Sequence, residues 1–156
     1  MSSPTNPSLS TGIEDRIELD PTWSATAMLR MDTAKTAFGI RIDELERGRS
    51  VLTMPVRDDM VNGFGITHGG MVFTLADTAF AYACNEGENA VVASGVDITF
   101  TRASRAGDTL TATAERRWVS GRNGLYDITV TDQDGHVIAE FRGRSFATNR
   151  PIPTSA

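Results

Sequence analysis

The sequence is poor in cysteine and histidine, the residues that most often carry metal and redox chemistry. Its 156 residues include one cysteine and two histidines. A single cysteine, Cys84, excludes an intramolecular disulfide and favours a reducing compartment. Since the histidines, His68 and His136, lie far apart in the chain, no metal ligand pattern is present. We therefore expect neither a metal nor a cofactor.

Clustered positive charge and long apolar runs are also lacking. The 15 Lys and Arg residues are outnumbered by 20 Asp and Glu, a net charge of -5, which argues against a nucleic-acid surface. The longest mostly apolar run, residues 71–84, is too short to span a bilayer and contains Asp77. The first residues lack the basic start and apolar stretch of a secretion signal. We expect a soluble cytoplasmic protein without nucleic-acid or membrane partners.

Hydrophobic periodicity divides the chain into an arm, one domain and a tail. Residues 1–20 are rich in Ser, Thr, Pro and acidic groups, which predicts a flexible N-terminal arm. The domain is expected over 21–148 and a flexible tail over 149–156. The predicted helices and strands are a helix over 22–37, strands over 40–45 and 51–54, a helix over 71–85, and strands over 90–101, 109–119, 125–131 and 136–147.

The second helix is apolar on nearly all sides, which is typical of a buried helix. The last two strands are joined by Gln133-Asp134-Gly135, a strong hairpin signal. The fold class predicted is therefore α+β, with a curved antiparallel sheet of about six strands wrapped around one long buried helix.

Asp77 is the only side chain between Met71 and Asn85 that is ordinarily charged at neutral pH. Burial of an unpaired carboxylate is costly and raises its pKa. A structural role in a small polar gap, or a hydrogen bond to its own helix, is the alternative. Because aspartate is a poor helix former, the apolar position favours a functional role.

A second candidate element, Thr67-His68-Gly69-Gly70, stands where the same helix begins. The first N–H groups of a helix lack partners and lie at the positive end of its dipole. Two glycines would let a ligand oxygen approach these groups, as in an oxyanion hole. Taken alone, Gly-Gly before a helix is also typical of a plain turn.

The distance between these two elements predicts a dimer. Gly69 and Asp77 are separated by eight residues, or about 12 Å along a helix axis. Both groups of one chain would struggle to reach the same carbonyl carbon. Two such helices running antiparallel across a two-fold axis would bring Gly69 of one chain to Asp77 of the other.

The stretch Asn62 to Ala79, N-G-x-G-x-x-H-G-G-x-x-x-x-L-A-D-T-A, resembles the hotdog-fold acyl-CoA thioesterases of the phenylacetate-degradation type. The resemblance continues through VVASGVDITFTR, AGDTLTATA and FRGRS and covers about residues 24–147. It implies hydrolysis of phenylacetyl-CoA or hydroxyphenylacetyl-CoA. It also implies a homodimer with shared active sites, two dimers pairing into a homotetramer.

The resemblance also implies roles for the candidate residues. Asp77 would be the nucleophile or general base, and the Gly69 N–H would polarise the thioester carbonyl. Asn62 would orient water or hold the carboxylate, while His68 would support the loop or touch the thioester. Residues suggested to contact the CoA substrate are Gly70, Ser94, Arg102 and Arg105. Ala103 replaces the proline often found after F-x-R in related sequences, which makes the CoA contacts less secure.

Several alternatives remain open on the sequence alone. His68 can equally be a loop cap, Ser94 a structural strand serine, and Arg102 and Arg105 parts of a solvated turn. A hotdog enoyl-CoA hydratase or dehydratase would pair an Asp with a His. A non-catalytic acyl-CoA-binding protein would use the same pocket.

Overall fold

The computed structural model describes residues 12–153. The helices are α1 (Ser24–Met31), α2 (Thr33–Ala37) and α3 (Gly69–Cys84), with short 3-10 turns at Ile13–Arg16 and Asp58–Met60. The strands are β1 (Arg41–Glu46), β2 (Arg49–Pro55), β3 (Asn89–Phe100), β4 (Thr109–Ser120), β5 (Asn123–Thr131) and β6 (Val137–Pro151).

The six strands form one sheet in the order β1-β2-β4-β5-β6-β3, and every neighbouring pair is antiparallel. Within residues 12–153, β3 pairs only with β6, so its other side is an open edge of the sheet. The observed α+β architecture, with six strands and one long helix, confirms the predicted fold class.

The core lies between α3 and the inner face of the sheet, with α3 packed mainly over β2, β4 and β5. Leu75, Ala76 and Ala79 of α3 are fully buried there. The inward residues of β4 include Ala112 and Ala114, both fully buried, and these small side chains let the helix approach the strand closely. The apolar character of α3 thus follows from its central position.

The predicted helix over 22–37 is broken at Asp32 into α1 and α2. Asp32 is not helical, with φ -82° and ψ 83°, and its Oδ1 accepts a hydrogen bond from Lys35 N at 2.9 Å. Its Oδ2 accepts from the Tyr82 hydroxyl at 3.1 Å. The prediction of one continuous helix was wrong because this aspartate caps a second helix instead of continuing the first.

Residues 12–20 fall in the stretch expected to be a flexible arm, yet they pack on the domain. Ile13 and Ile17 lie against the core, and Glu14 accepts an ion-paired hydrogen bond from the buried Lys35 at 3.3 Å. At the other end, β6 extends to Pro151, beyond the predicted boundary at 148. The remainder of the predicted arm, 1–11, and of the tail, 154–156, lies outside the described residues.

Part of the outer face of the sheet carries a row of charged residues. A row of residues paired across the strands runs Asp97, Arg142, Asp127, Glu115, Arg49. Arg142 Nε donates to Asp127 Oδ1 at 2.7 Å. These charges satisfy one another on the face opposite α3. Across residues 12–153, no helix is both long and apolar enough to cross a membrane.

Candidate active site

A closed loop precedes α3 and holds its first residues in place. Val61 and Thr67 form a β-bridge, and Asn62 N donates to Ile66 O at 2.8 Å. The Asn62 Oδ1 accepts from Phe64 N at 2.9 Å, an Asx-turn that leaves the side-chain amide N–H groups without an acceptor in the described part of the chain. Asn62 therefore has donors available for a ligand.

His68 caps α3. Its Nδ1 accepts a hydrogen bond from Gly70 N at 2.8 Å, so the neutral ring carries its proton on Nε2. His68 N donates to Met60 O at 2.8 Å, which ties the cap to the preceding turn. This geometry is compatible with a loop-supporting role for His68, which stays a prediction.

The two glycine N–H groups at the start of α3 differ. That of Gly70 is taken up by the His68 cap, so it cannot also donate to a substrate. That of Gly69 has no acceptor anywhere within residues 12–153. It lies at the positive end of the helix dipole, where an oxyanion is stabilised. The expected donor is therefore present at Gly69.

Phe100 covers this helix start, a contact that the sequence did not reveal. A Cβ built on Gly69 would lie 3.1 Å from Phe100 Cζ, so glycine leaves room for the ring. Phe100 ends β3 and remains 53% exposed. Its position follows from the register of β3 beside α3, which no local pattern encodes.

A cavity of about 380 Å³ opens beside Gly69 and is lined by Asn62, Phe100 and Arg102, among others. Its wall is fixed by a buried hydrogen bond of 2.7 Å from Ser104 Oγ to Thr67 Oγ1. The structure thus brings together three residues singled out from the sequence: Asn62, Gly69 and Arg102.

Asp77 lies two turns further along α3 and is half-buried. Its carboxylate makes no hydrogen bond or ion pair with the residues that the structure describes, and burial raises its pKa above the ordinary value. Asp77 does not line the Gly69 cavity, consistent with a separation of about 12 Å along the helix. A lone, partly desolvated carboxylate is typical of a catalytic base or nucleophile.

Two other candidates lie away from the Gly69 cavity. Ser94 is in a β-bulge of β3, where its hydroxyl donates to Arg144 O at 3.2 Å. The Arg105 backbone N–H donates to Asp108 Oδ2 at 2.8 Å in an exposed turn. Neither contributes to the cavity wall. Arg105 directly follows Ser104 of the cavity wall, whereas Ser94 lies in the middle of β3.

Cys84 and His136 also carry potentially reactive groups, and the structure gives each of them a structural explanation. Burial raises the pKa of the Cys84 thiol to about 12, which leaves little thiolate at neutral pH. His136, predicted at the surface, is exposed beside Asp132 and Asp134. Asp132 accepts hydrogen bonds from the backbone N–H groups of both neighbours, so this cluster is explained by the β5–β6 hairpin.

The chain is similar to known thioesterases. Residues 64–139 match the family model of the thioesterase superfamily. The acyl-coenzyme A thioesterase PaaI of Escherichia coli K12 is 48% identical over 78% of this chain and 87% of its own length.

Solved structures give the same relationship. The E. coli PaaI protein from the phenylacetic acid degradation operon superposes with a TM-score of 0.80, at 45% identity over 83% of this chain and 94% of that one. The smu.793 protein of Streptococcus mutans UA159, bound to acetyl CoA, gives 0.69 at 25% identity over 72% and 91% of the two chains. The free Gly69 N–H and the lone Asp77 carboxylate lie on the hotdog helix of this fold. On these similarities, the chain belongs to the thioesterase superfamily, among the acyl-CoA thioesterases of the PaaI type.

Proposed function

We propose that this chain hydrolyses arylacetyl-CoA thioesters, such as phenylacetyl-CoA and hydroxyphenylacetyl-CoA, to the free acid and CoA in the cytoplasm. The observation that carries the proposal is the pairing of an unoccupied N–H at the start of α3 with an unpaired carboxylate, Asp77, on the same helix. The arylacetyl group is supported by the similarity to the E. coli protein of the phenylacetic acid degradation operon.

The chemistry needs only these groups and water. The thioester carbonyl oxygen accepts from Gly69 N, and the dipole of α3 stabilises its negative charge as the carbon becomes tetrahedral. Asp77 either removes a proton from the attacking water or attacks the carbon itself to give a mixed anhydride. In the second route, water then hydrolyses the anhydride, which releases the free acid and restores the Asp77 carboxylate. The C–S bond breaks, a C–O bond forms, and the thiolate leaves without strong acid assistance. No metal or cofactor enters this scheme.

Asn62 and Arg102 have supporting roles in the proposal. The unpaired amide N–H groups of Asn62 face the cavity beside Gly69, where they can orient water or the thioester. The exposed guanidinium of Arg102 stands at the rim of the same cavity and suits a CoA phosphate. Arg105, three residues on, is a second phosphate candidate.

A homodimer would complete the site. Gly69 and Asp77 of one chain are too far apart to act on one carbon, and β3 offers an open edge with Val92 and Phe100 exposed. Pairing of two β3 edges across a two-fold axis would set the α3 helices antiparallel. Each site would then take Gly69 from one chain and Asp77 from the other. Two such dimers would form the tetramer that the family resemblance implies.

The first test is thiol release from phenylacetyl-, hydroxyphenylacetyl-, benzoyl-, hexanoyl- and palmitoyl-CoA by wild type, Asp77→Ala and Asp77→Asn. We expect arylacetyl-CoA turnover that falls by orders of magnitude in both variants. A loss of less than about tenfold, or roughly 1.4 kcal/mol, in both would remove Asp77 from the mechanism. Binding of acyl-CoA without turnover would indicate a non-catalytic protein, and turnover of only enoyl-CoA a hydratase.

The shared site is tested by mixing two inactive chains. Unfolding and refolding Asp77→Ala together with a Gly69 variant lacking the N–H yields heterodimers with one intact site. About a quarter of wild-type activity should return, because half of the dimers are mixed and each has one of its two sites intact. Activity that never exceeds the sum of the separate variants would show that each chain works alone.

A further inference from the structure

A second cavity lies at the opposite end of α3 from Gly69. It has a volume of about 290 Å³ and is lined by the last residue of α3, Cys84, by the start of β3, and by residues of β5 and β6 that include Tyr126 and Ser145. Val91, Val119 and Ala147 add apolar wall. The cavity can hold an aromatic ring with room for substituents.

Ser145 places a free hydroxyl in this cavity. The residue is 3% exposed, and its Oγ has no hydrogen-bond partner within the described range 12–153. A Cβ on Gly124 would lie 2.5 Å from that oxygen, so glycine at 124 makes the space that the hydroxyl occupies. Buried hydroxyls normally have a partner, and one that faces a cavity without a protein partner is suited to a ligand.

The polar side chains that lie deeper in the cavity are already engaged, whereas Glu88, Asn89 and Asn123 lie exposed at its mouth. The Tyr126 hydroxyl donates to Glu86 Oε1 at 2.5 Å, and Arg116 donates to Glu86 Oε2 at 2.5 Å. Glu86 is therefore saturated by two strong charge-assisted contacts. Ser145 is thus a buried polar group of the cavity that can recognise a polar atom on a ligand.

The cavity lies beyond Asp77, towards the C-terminal end of α3. Phe80, about one turn after Asp77, lies over Gly143 of β6, where a Cβ would meet its ring at 2.8 Å. Ser145 is the next inward-facing residue of β6 after Gly143. The order along α3 is thus Gly69, Asp77, then the Ser145 cavity, with the thioester end on one side of the carboxylate and this space on the other.

We infer that the Ser145 cavity receives the outer end of the acyl group and that the Ser145 hydroxyl selects acyl groups bearing a hydroxyl there, such as ring-hydroxylated arylacetyl groups. The inference rests on the proposed function and adds the residue that sets its substrate preference. In the proposed dimer, Asp77 of one chain meets the thioester-binding loop of the partner, and the Ser145 cavity lies further along the same α3 as that Asp77. The acyl group is therefore bound by the chain that supplies the carboxylate.

The test compares kcat/KM for 4-hydroxyphenylacetyl-CoA, 3-hydroxyphenylacetyl-CoA and phenylacetyl-CoA in wild type and Ser145→Ala. Ser120→Ala, at the exposed end of β4, is the matched control. We expect Ser145→Ala to lower the preference for one hydroxylated substrate over phenylacetyl-CoA about tenfold, the factor that roughly 1.4 kcal/mol represents. Ser120→Ala should keep the wild-type preference. Thermal unfolding should show that Ser145→Ala folds as well as wild type, because it removes a hydroxyl without a protein partner.

A further variant tests the cavity apart from the hydroxyl. Ser145→Val fills the space and should lower kcat/KM for all three arylacetyl substrates more than for acetyl-CoA. An unchanged preference in Ser145→Ala, or equal losses on all acyl groups in folded Ser145→Val, would overturn the inference. If wild type turned over acyl-CoA but no arylacetyl substrate, the proposed function would fail instead, so the two failures are distinct.

Discussion

Replacing Gly69 with proline would delete one hydrogen-bond donor from the candidate site and leave the helix in place. Gly69 is the first residue of α3, a position where proline is favoured because its missing N–H has no helical partner. The preceding residue, His68, has φ -60° and ψ 131°, the extended conformation that proline requires before it. The His68 cap uses the N–H of Gly70, so it should persist.

The expected cost is that of one oxyanion donor. Loss of such a donor lowers kcat by about 10² to 10³, or roughly 2.7–4 kcal/mol of transition-state stabilisation. The Gly69 N–H is the free donor at the start of this helix among residues 12–153, so no neighbouring N–H can take its place. We therefore expect Gly69→Pro near the upper end of that range.

The assay is thiol release from the best arylacetyl-CoA, with Gly69→Ala as the matched control. Alanine keeps the N–H but adds the Cβ that would lie 3.1 Å from the Phe100 ring, so it measures the steric cost alone. Because Phe100 is 53% exposed, its ring can yield and the control should lose far less activity. Thermal unfolding of both variants checks that α3 is intact.

Two results would refute this reasoning. If folded Gly69→Pro kept more than about a tenth of wild-type kcat, the N–H could not be the oxyanion donor. If Gly69→Ala lost as much activity as Gly69→Pro, space beside Phe100, and not the donor, would explain the glycine.

Further predictions concern the ionisation of Asp77 and the helix cap formed by His68. Because burial raises the pKa of Asp77, the ionised carboxylate destabilises the folded chain above the ordinary pKa of an aspartate. Asp77→Asn should therefore unfold at a higher temperature than wild type at pH 7, and this gain should disappear as the pH falls below ~3.9, where the carboxyl is protonated in both states. The acid limb of kcat/KM should correspondingly lie above pH ~3.9, and a limb at or below that value would contradict the shift. His68→Ala should lose about 1 kcal/mol of unfolding free energy, measured in urea, because the α3 cap is lost. His68→Asn can still cap the helix and should lose less. Equal losses in the two variants would show that the cap does not stabilise the fold.

Most of the fold could be predicted from hydrophobic pattern and turn chemistry. The buried helix, the β5–β6 hairpin and six strands are all encoded locally, because each depends on side-chain periodicity or on one turn. The break at Asp32 was missed since Ala34 continues the helical spacing. The aspartate is held out of the helix by its cap on Lys35 N and by the tertiary contact with Tyr82. Ile13 and Ile17 were missed because two apolar residues in a polar stretch give no periodic signal.

Two candidate residues of the site could be identified from the local sequence alone. Gly69 and Asp77 stand out as glycine and aspartate in places where a helix does not favour them. The hydrogen bond from Gly70 N to His68 could not be predicted, because it depends on the rotamer of the histidine. Ser145 gave no sequence signal, since its meaning depends on Gly124 in a different strand and on the lack of a partner across the cavity.

The position of β3 at the sheet edge has a consequence for synthesis on the ribosome. Its pairing partner among the described residues is β6, the last strand to be made. Between the two lie 36 residues, 101–136, which at about 5–20 residues per second means roughly 2–7 s during which a nascent β3 has no neighbour. A stop codon in the β5–β6 hairpin would therefore remove two strands from the sheet, and the nascent chain can complete that edge only after β6 has been translated.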